Sequence, residues 1–259
     1  MPVSLTEDIL ILAKTYPIPS AKYAETSCVA GINAKGEMRR LYPIPFRLMD
    51  DEHQFKKWQW VNARVFKSNT DHRPESYKVY VDTVQQGDAI STAQDWLLRR
   101  DWITRIPTSS QDQRSMYLVK PYRIDSLQIT PESKPDWDDD EIEKLMQWQN
   151  QTELFQESQK TIRLLRKLPY EFHYHYTLET PDGLVQQRHK IADWEAGAFY
   201  WNCVKTYGSK WEKPFRQKLE EEFSSKDLMF LIGNLHRFQH RWIIGSLIYP
   251  PKIMQPSLF

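Results

Sequence analysis

Thr26-Ser-Cys-Val-Ala-Gly-Ile32, then Asn33-Ala-Lys-Gly36, then Glu37-Met-Arg-Arg-Leu-Tyr42 is the stretch on which the fold turns. Two strand-like runs joined by a short connection that ends in glycine read as a β-hairpin. Prolines bound it, in Tyr16-Pro-Ile-Pro-Ser20 before and Pro43-Ile-Pro-Phe-Arg47 after, and proline cannot donate to a strand ladder. Upstream, Asp8-Ile-Leu-Ile-Leu-Ala-Lys-Thr15 is a short apolar run of the buried-strand type. Downstream, Trp58 to Phe66 alternates, and Ser76 to Val84 and Ser115 to Val119 are predicted as further strands.

The middle of the chain changes character. Thr130-Pro-Glu-Ser-Lys-Pro135 reads as a turn-rich linker. Asp138, Asp139 and Asp140 precede Glu141 to Trp148, and acidic residues suit the positive end of a helix dipole. Gln147 to Gln159 is Gln-rich and weakly patterned, as a mobile connection would be. Beyond Leu168-Pro169, Tyr170 to Leu178 alternates strictly and puts Tyr170, Phe172, Tyr174 and Tyr176 on one face. Pro181-Asp-Gly183 is a turn from which Leu184 to Ile191 pairs back. Asp193 is placed to cap a helix that Gly208 ends, and Ser209-Lys-Trp-Glu212 has the form of a capping box for the next, to about Phe223. Asp227 to Gly233 and Trp242 to Tyr249 are apolar strands, joined by Asn234-Leu-His-Arg-Phe-Gln-His-Arg241. Apolar runs of that kind suit strands covered on both faces, at the centre of a sheet.

The 259 residues suffice for two domains. The fold class is α+β: an N-terminal OB-like small β-barrel over 1–128, a helical linker over 129–168, and a C-terminal α+β lobe over 169–259 with a sheet and two helices on one side. A net charge of +1 draws no polyanion at long range, so any contact with nucleic acid must come from a local patch. No apolar run reaches the roughly 20 residues of a membrane span, and Met1 to Asp8 lacks the pattern of a secretory signal. With Cys28 and Cys203 read as reduced core thiols, a cytoplasmic protein without cofactor or bound metal is expected.

Three groups of residues carry possible chemistry. The first is basic and aromatic: Lys14, Tyr16, Lys22, Arg39, Arg40, Tyr42, Arg47, Lys56, Lys57, Trp58 and Arg73. Cationic side chains neutralise phosphates and aromatic faces stack bases, so a barrel presenting both would bind single strands. The second is His189 with Asp193 and Glu195, near His173 and His175 on the paired strand, where imidazole and carboxylate could share a divalent ion. The simpler expectation has Asp193 as a cap and the strand histidines facing solvent, opposite the tyrosines. The third is Asp71-His-Arg-Pro-Glu75-Ser-Tyr-Lys78, whose acids and lysine resemble the needs of a metal-dependent nuclease. A turn pairing of Arg73 with Asp71 or Glu75 is the simpler reading. No Gly-rich phosphate loop and no Gly-x-Ser-x-Gly is present, which argues against a nucleotide or serine hydrolase.

Lys14-Thr-Tyr-Pro17, Cys28-Val-Ala-Gly-Ile32 and Gly36-Glu-Met-Arg-Arg-Leu-Tyr-Pro43 resemble the opening of dual-OB-containing domains over residues 8–47, with Met38-Arg39 where that family carries Trp-Ile. The resemblance implies an OB-like barrel and nucleic-acid binding, often beside prokaryotic antiviral defence or mobile elements. It implies no catalytic residue. The favoured reading is therefore a non-catalytic, nucleic-acid-binding accessory subunit of a prokaryotic system. Its partners would be DNA or RNA, single strands above duplex, and a larger protein complex. Arg237 and Arg241 in the last loop join the predicted binding residues, although the plainer reading of that loop is a solvated turn with Phe238 tucked into the core. A metal-dependent nuclease and a protein-interaction adaptor are the alternatives.

Overall fold

The computed structural model describes residues 3–20, 23–146 and 164–253, and Lys22 and the Gln-rich stretch from 147 to 159 lie outside them. The chain divides into two compact units: residues 1–89 with 129–171, and residues 90–128 with 172–259.

The first unit is built on β1 (Ser4–Lys14), whose Ile9 to Leu12 are fully buried. Its first half pairs antiparallel with β5 (Gln59–Lys67), from Ser4 opposite Phe66 to Leu10 opposite Trp60. Its second half pairs with β3 (Ala24–Asn33), from Ile9 opposite Asn33 to Lys14 opposite Val29. The predicted hairpin forms between β3 and β4 (Met38–Ile44). Asn33 shapes its turn, because its Oδ1 accepts the backbone N–H groups of Lys35 and Glu37 while Gly36 sits at φ +84°. Gly31 is required for another reason, since a Cβ there would lie 2.6 Å from both Ile9 Cγ2 and the Leu10 carbonyl oxygen. β4 pairs in parallel with β6 (Ser76–Val79), which pairs antiparallel with β5. The ring β1-β3-β4-β6-β5-β1 is closed. Counted along the chain these are barrel strands one, two, three, five and four, with three and five parallel, which is the OB arrangement. Two short strands lie off the ring, β2 (Ile18–Ser20) on β3 and β7 (Gln85–Ala89) on β5.

Helix α2 begins at 139 and is described to 146. Asp138 and Glu141 form a reciprocal capping box, each carboxylate accepting the other's backbone N–H at 3.0 Å. The acidic run is thus a helix start, and Leu145 and Leu165 pack with Ala24, Tyr16 and Trp137 into a small apolar cluster.

The second unit holds a six-stranded sheet in the order β8-β12-β13-β11-β10-β9. Its strands are β8 (Met116–Val119), β9 (Arg123–Pro131), β10 (Tyr170–Thr180), β11 (Gly183–Ile191), β12 (Met229–Asn234) and β13 (Trp242–Ile248). The two apolar strands β12 and β13 are interior, as their composition predicts. The Pro181-Asp-Gly183 turn joins β10 to β11 in register. β9 runs through the segment expected to begin a linker; it is an edge strand, so Pro131 ends it without breaking a central ladder. Helix α1 (Ala93–Ile103) and β7 had no counterpart in the sequence reading. Helix α3 (Trp194–Tyr207) begins where expected, with Asp193 Oδ1 accepting the Glu195 N–H at 2.8 Å. Asp193 Oδ2 also accepts the Leu247 N–H at 2.7 Å, so one buried carboxylate joins the helix start to β13. Gly208 ends the helix. Helix α4 (Glu212–Arg216) runs on into a π-helical stretch, 217–222, but Ser209 forms no capping box, because residues 208–210 make a 3-10 turn that leads straight into the helix. Phe172, Tyr174 and Tyr176 are fully buried; Phe172 meets Phe215 at 4.6 Å and Tyr174 stacks on Phe230 at 5.3 Å.

One buried group makes stability depend on pH. Glu25 on β3 is 3% exposed, and burial pushes its carboxyl up from 4.5 to about 7, with Arg47 Nη1 at 2.9 Å only partly offsetting this. A folded pKa above the unfolded one stabilises the protein at low pH, and that contribution is lost as pH rises through the folded value. The wild type should therefore lose at most about 3 kcal/mol relative to Glu25→Gln between about pH 5 and pH 8. Urea denaturation of both proteins at the two pH values checks this; a difference independent of pH would contradict it.

Candidate nucleic-acid interface

Closure of the barrel uses most of the basic residues that the sequence offers to a ligand. Arg39 and Arg40 are each 6% exposed. Arg39 donates to both oxygens of Glu7 at 2.7 Å and to Glu37 at 2.6 Å, with its guanidinium 4.6 Å from the Tyr77 ring centroid. Burial works against that charge, but the hydrogen bonds to Glu7 and Glu37 more than offset it and raise the guanidinium pKa. Arg40 lies against Cys28 Sγ at 3.7 Å, and its backbone N–H is bonded to the Glu75 carbonyl. Arg73 is buried and gripped by Asp71 at 2.5 and 2.9 Å, which together with Ser76 holds the Asp71 carboxyl far below the usual range despite its burial. The turn pairing expected in this segment is present, but inside the protein.

The other barrel residues divide by exposure. Lys14 Nζ sits 3.5 Å from the Phe46 ring centroid and donates to the Phe55 carbonyl. The Tyr16 hydroxyl donates to the Arg166 carbonyl, and Arg47 is committed to Glu25. Trp58 is buried. Tyr42, 45% exposed, and Lys56 reach solvent, while Lys57 is half-buried. In an OB barrel the face of the second and third strands commonly receives oligonucleotides. Here that face is β3 and β4, where residues of both parities are buried along almost all of β3 and from Met38 to Leu41. Successive strand residues point to opposite sides, so both sides of this strip are covered.

The histidine group does not converge. His173 is buried, where solvent exposure had been expected, because both faces of β10 are covered at this point. His175 Nε2 bonds Gln128 Oε1 at 2.8 Å. His189 Nδ1 bonds the Tyr176 hydroxyl at 2.9 Å, and burial lowers its pKa. Asp193 is consumed as a cap, and Glu195 is exposed on the first turn of α3. Among the described residues, no group of three or more His, Cys, Asp or Glu side chains is placed to hold a metal ion.

The β12–β13 loop contrasts with the barrel. Residues from His236 to Arg241 are all exposed, and Phe238, at 49%, stands in solvent instead of entering the core. The Arg241 guanidinium lies 5.1 Å from the Phe238 ring centroid, and His240 meets the same ring edge-on. Backbone bonds from the Leu235 N–H to the Arg241 carbonyl and from the Arg241 N–H to the Phe238 carbonyl close the turn. A rigid strand pair thus presents two guanidinium groups and one aromatic face.

The second unit also contains a cavity of about 610 Å³ that the sequence reading missed. Its cations, Arg100, Lys120, Arg123, Lys226 and Lys252, come from four separated segments. Only Lys120-Pro-Tyr-Arg123 gave any local signal, and two charges in four residues do not stand out from a solvated surface.

An OB-like barrel joined to an α+β sheet unit is the class of protein that this topology defines. Residues 101–259 match the family described as Domain of unknown function (DUF8757), and the chain belongs to that family. Residues 5–105 match a second one, Domain of unknown function (DUF8758). No curated protein matches the chain. Among solved structures, a chain of a replication protein A heterotrimer bound to ssDNA is similar at 8% identity and a TM-score of 0.22, over 96% of this chain and 66% of that one.

The pairing of Arg39 gives a direct expectation. Arg39→Ala would leave Glu7 largely buried without its partner and should cost about 3–5 kcal/mol, read by urea denaturation. Where the variant remains folded, any affinity for single strands should be unchanged. Lost affinity with intact stability would instead make Arg39 a contact residue.

Proposed function

We propose that the protein binds single-stranded DNA or RNA without catalysing a reaction on it, and that the exposed β12–β13 loop is the main contact. The observation that carries this reading is the cluster of Arg237, Phe238, His240 and Arg241, all exposed at the end of two interior strands. Guanidinium groups neutralise phosphates, and an aromatic face accepts any base, so such a tip suits sequence-tolerant binding. A site on a rigid strand pair keeps its geometry when a ligand arrives. Tyr42 and Lys56 offer a smaller second contact on the barrel.

The fuller form of the proposal is an accessory subunit in a larger prokaryotic defence or mobile-element assembly, which the resemblance of residues 8–47 supports. A cytoplasmic setting fits the two free thiols, Cys28 and Cys203. Among the described residues, no helix is long and apolar enough to cross a membrane.

The test replaces Arg237 and Arg241 by alanine. Stability should change by less than about 1 kcal/mol, because exposed charges contribute little. Affinity for a single-stranded oligonucleotide should fall, and the slope of log K against log salt should become shallower by about 1.4 if each arginine neutralises one phosphate. Absence of any oligonucleotide binding by the wild type at low salt would end the proposal. So would a large loss of stability with binding intact, which would assign these arginines to the fold.

A further inference from the structure

The cavity of the second unit gathers like charge that the protein leaves only partly neutralised. Among the described residues, Asp227 is the one carboxylate in its wall. It is shared, with Lys120 Nζ at 2.6 Å from one oxygen and Arg100 Nη1 at 3.7 Å from the other. Arg100 also donates to the backbone carbonyls of Asp95 and Pro251, so it acts as a strut that holds the wall. Arg123 has a partner outside the wall, Asp125 at 2.6 Å. Lys226 has no side-chain partner among the described residues, and Lys252 reaches only the Ser224 carbonyl at 3.5 Å. Among the described residues, five cations thus face two carboxylates, leaving three positive charges in excess.

Repulsion among those charges favours an anion, and the excess selects its class. A phosphomonoester carries about −1.5 to −2 at neutral pH and presents three strong acceptor oxygens. Guanidinium and ammonium groups suit it, Arg123 by its fork and the lysines as point charges. The volume is that of a small-molecule site, roughly 300–1,000 Å³. The wall is not uniformly polar. Tyr122 is 60% exposed on it, and its backbone N–H is fixed to the Thr177 carbonyl at 2.9 Å. Ile124, Leu228 and Ile253 supply apolar surface nearby. A ring beside a cationic pocket is what a base joined to a phosphate needs.

We infer that this cavity binds a nucleoside phosphomonoester, either as a free nucleotide or as the phosphorylated end of a single strand. Lys226, Lys252 and Arg123 hold the phosphate, and Tyr122 stacks the base. The inference stands independently of the β12–β13 loop.

Isothermal titration calorimetry on the full chain tests it with a nucleoside 5′-monophosphate, the bare nucleoside, inorganic phosphate, and a single-stranded oligonucleotide with and without a 5′-phosphate. The nucleotide should bind at least about tenfold more tightly than the nucleoside, as the loss of charge-assisted hydrogen bonds implies. K226E/K252E should remove that advantage without lowering the melting temperature. Tyr122→Ala should weaken the nucleotide and leave inorganic phosphate unchanged. A preference for the 5′-phosphorylated oligonucleotide that K226E/K252E abolishes identifies a strand end as the source; binding of the mononucleotide without that preference identifies a free nucleotide. R237A/R241A should keep the mononucleotide site, so failure of the loop proposal is read separately. Equal affinity for phosphate and nucleotide, no gain from the phosphate group, or binding untouched by K226E/K252E would each overturn the inference.

Discussion

The two-sided pairing of β1 is the constraint from which the first unit follows. One strand is hydrogen-bonded to β5 over its first half and to β3 over its second, and this closes five strands into a ring without a free edge. Closure turns strand residues of one parity inward, where an ionisable group persists only if it is paired. Glu7 on β1 and Arg39 on β4 meet this demand together, with Asn33 and Glu37 bonding the same group. Asp71 and Arg73 meet it again before β6. The barrel therefore commits Arg39 and Arg73 to its own construction.

That economy separates the two units in character. In the first, Glu7 and Arg39, and Asp71 and Arg73, are matched pairs shielded from solvent, and Glu25 shows the electrostatic cost of a carboxylate whose single ion pair does not replace water. In the second, the interior is largely apolar and aromatic, and groups of cations stand at the β12–β13 loop and around the cavity. Asp193 is a buried carboxylate there, satisfied by two backbone N–H groups. Charge that is already matched indoors cannot serve a polyanion; charge at the surface of a rigid sheet can.

Local chemistry was legible in the sequence. The β3–β4 hairpin, the Pro181-Asp-Gly183 turn, the helix start at Asp138, the Asp193 cap and the Gly208 stop each depend on a few adjacent residues, and each stands where those residues place it. Ring closure also accords with the resemblance over residues 8–47, since both lead to an OB-like barrel. What stayed hidden depends on distant partners. An arginine on an alternating strand reads the same whether it faces solvent or a glutamate 32 positions away, as Arg39 does. The burial of His173 follows from what covers the second face of β10, which alternation alone does not reveal. The cavity is assembled from positions 100, 120–124, 224–228 and 252–253, and no window along the chain contains it.

Photo-crosslinking tests the central claim most directly, that contact with single strands lies mainly on the second unit and not on the covered β3–β4 strip. A 4-thiouridine-substituted oligonucleotide would be irradiated with the full chain and the attachment sites mapped by mass spectrometry. The account predicts attachment at Phe238 and its neighbours from 236 to 241, with a lesser signal at Tyr42. Attachment confined to β3 and to Met38–Leu41 of β4, with none between 236 and 241, would contradict it.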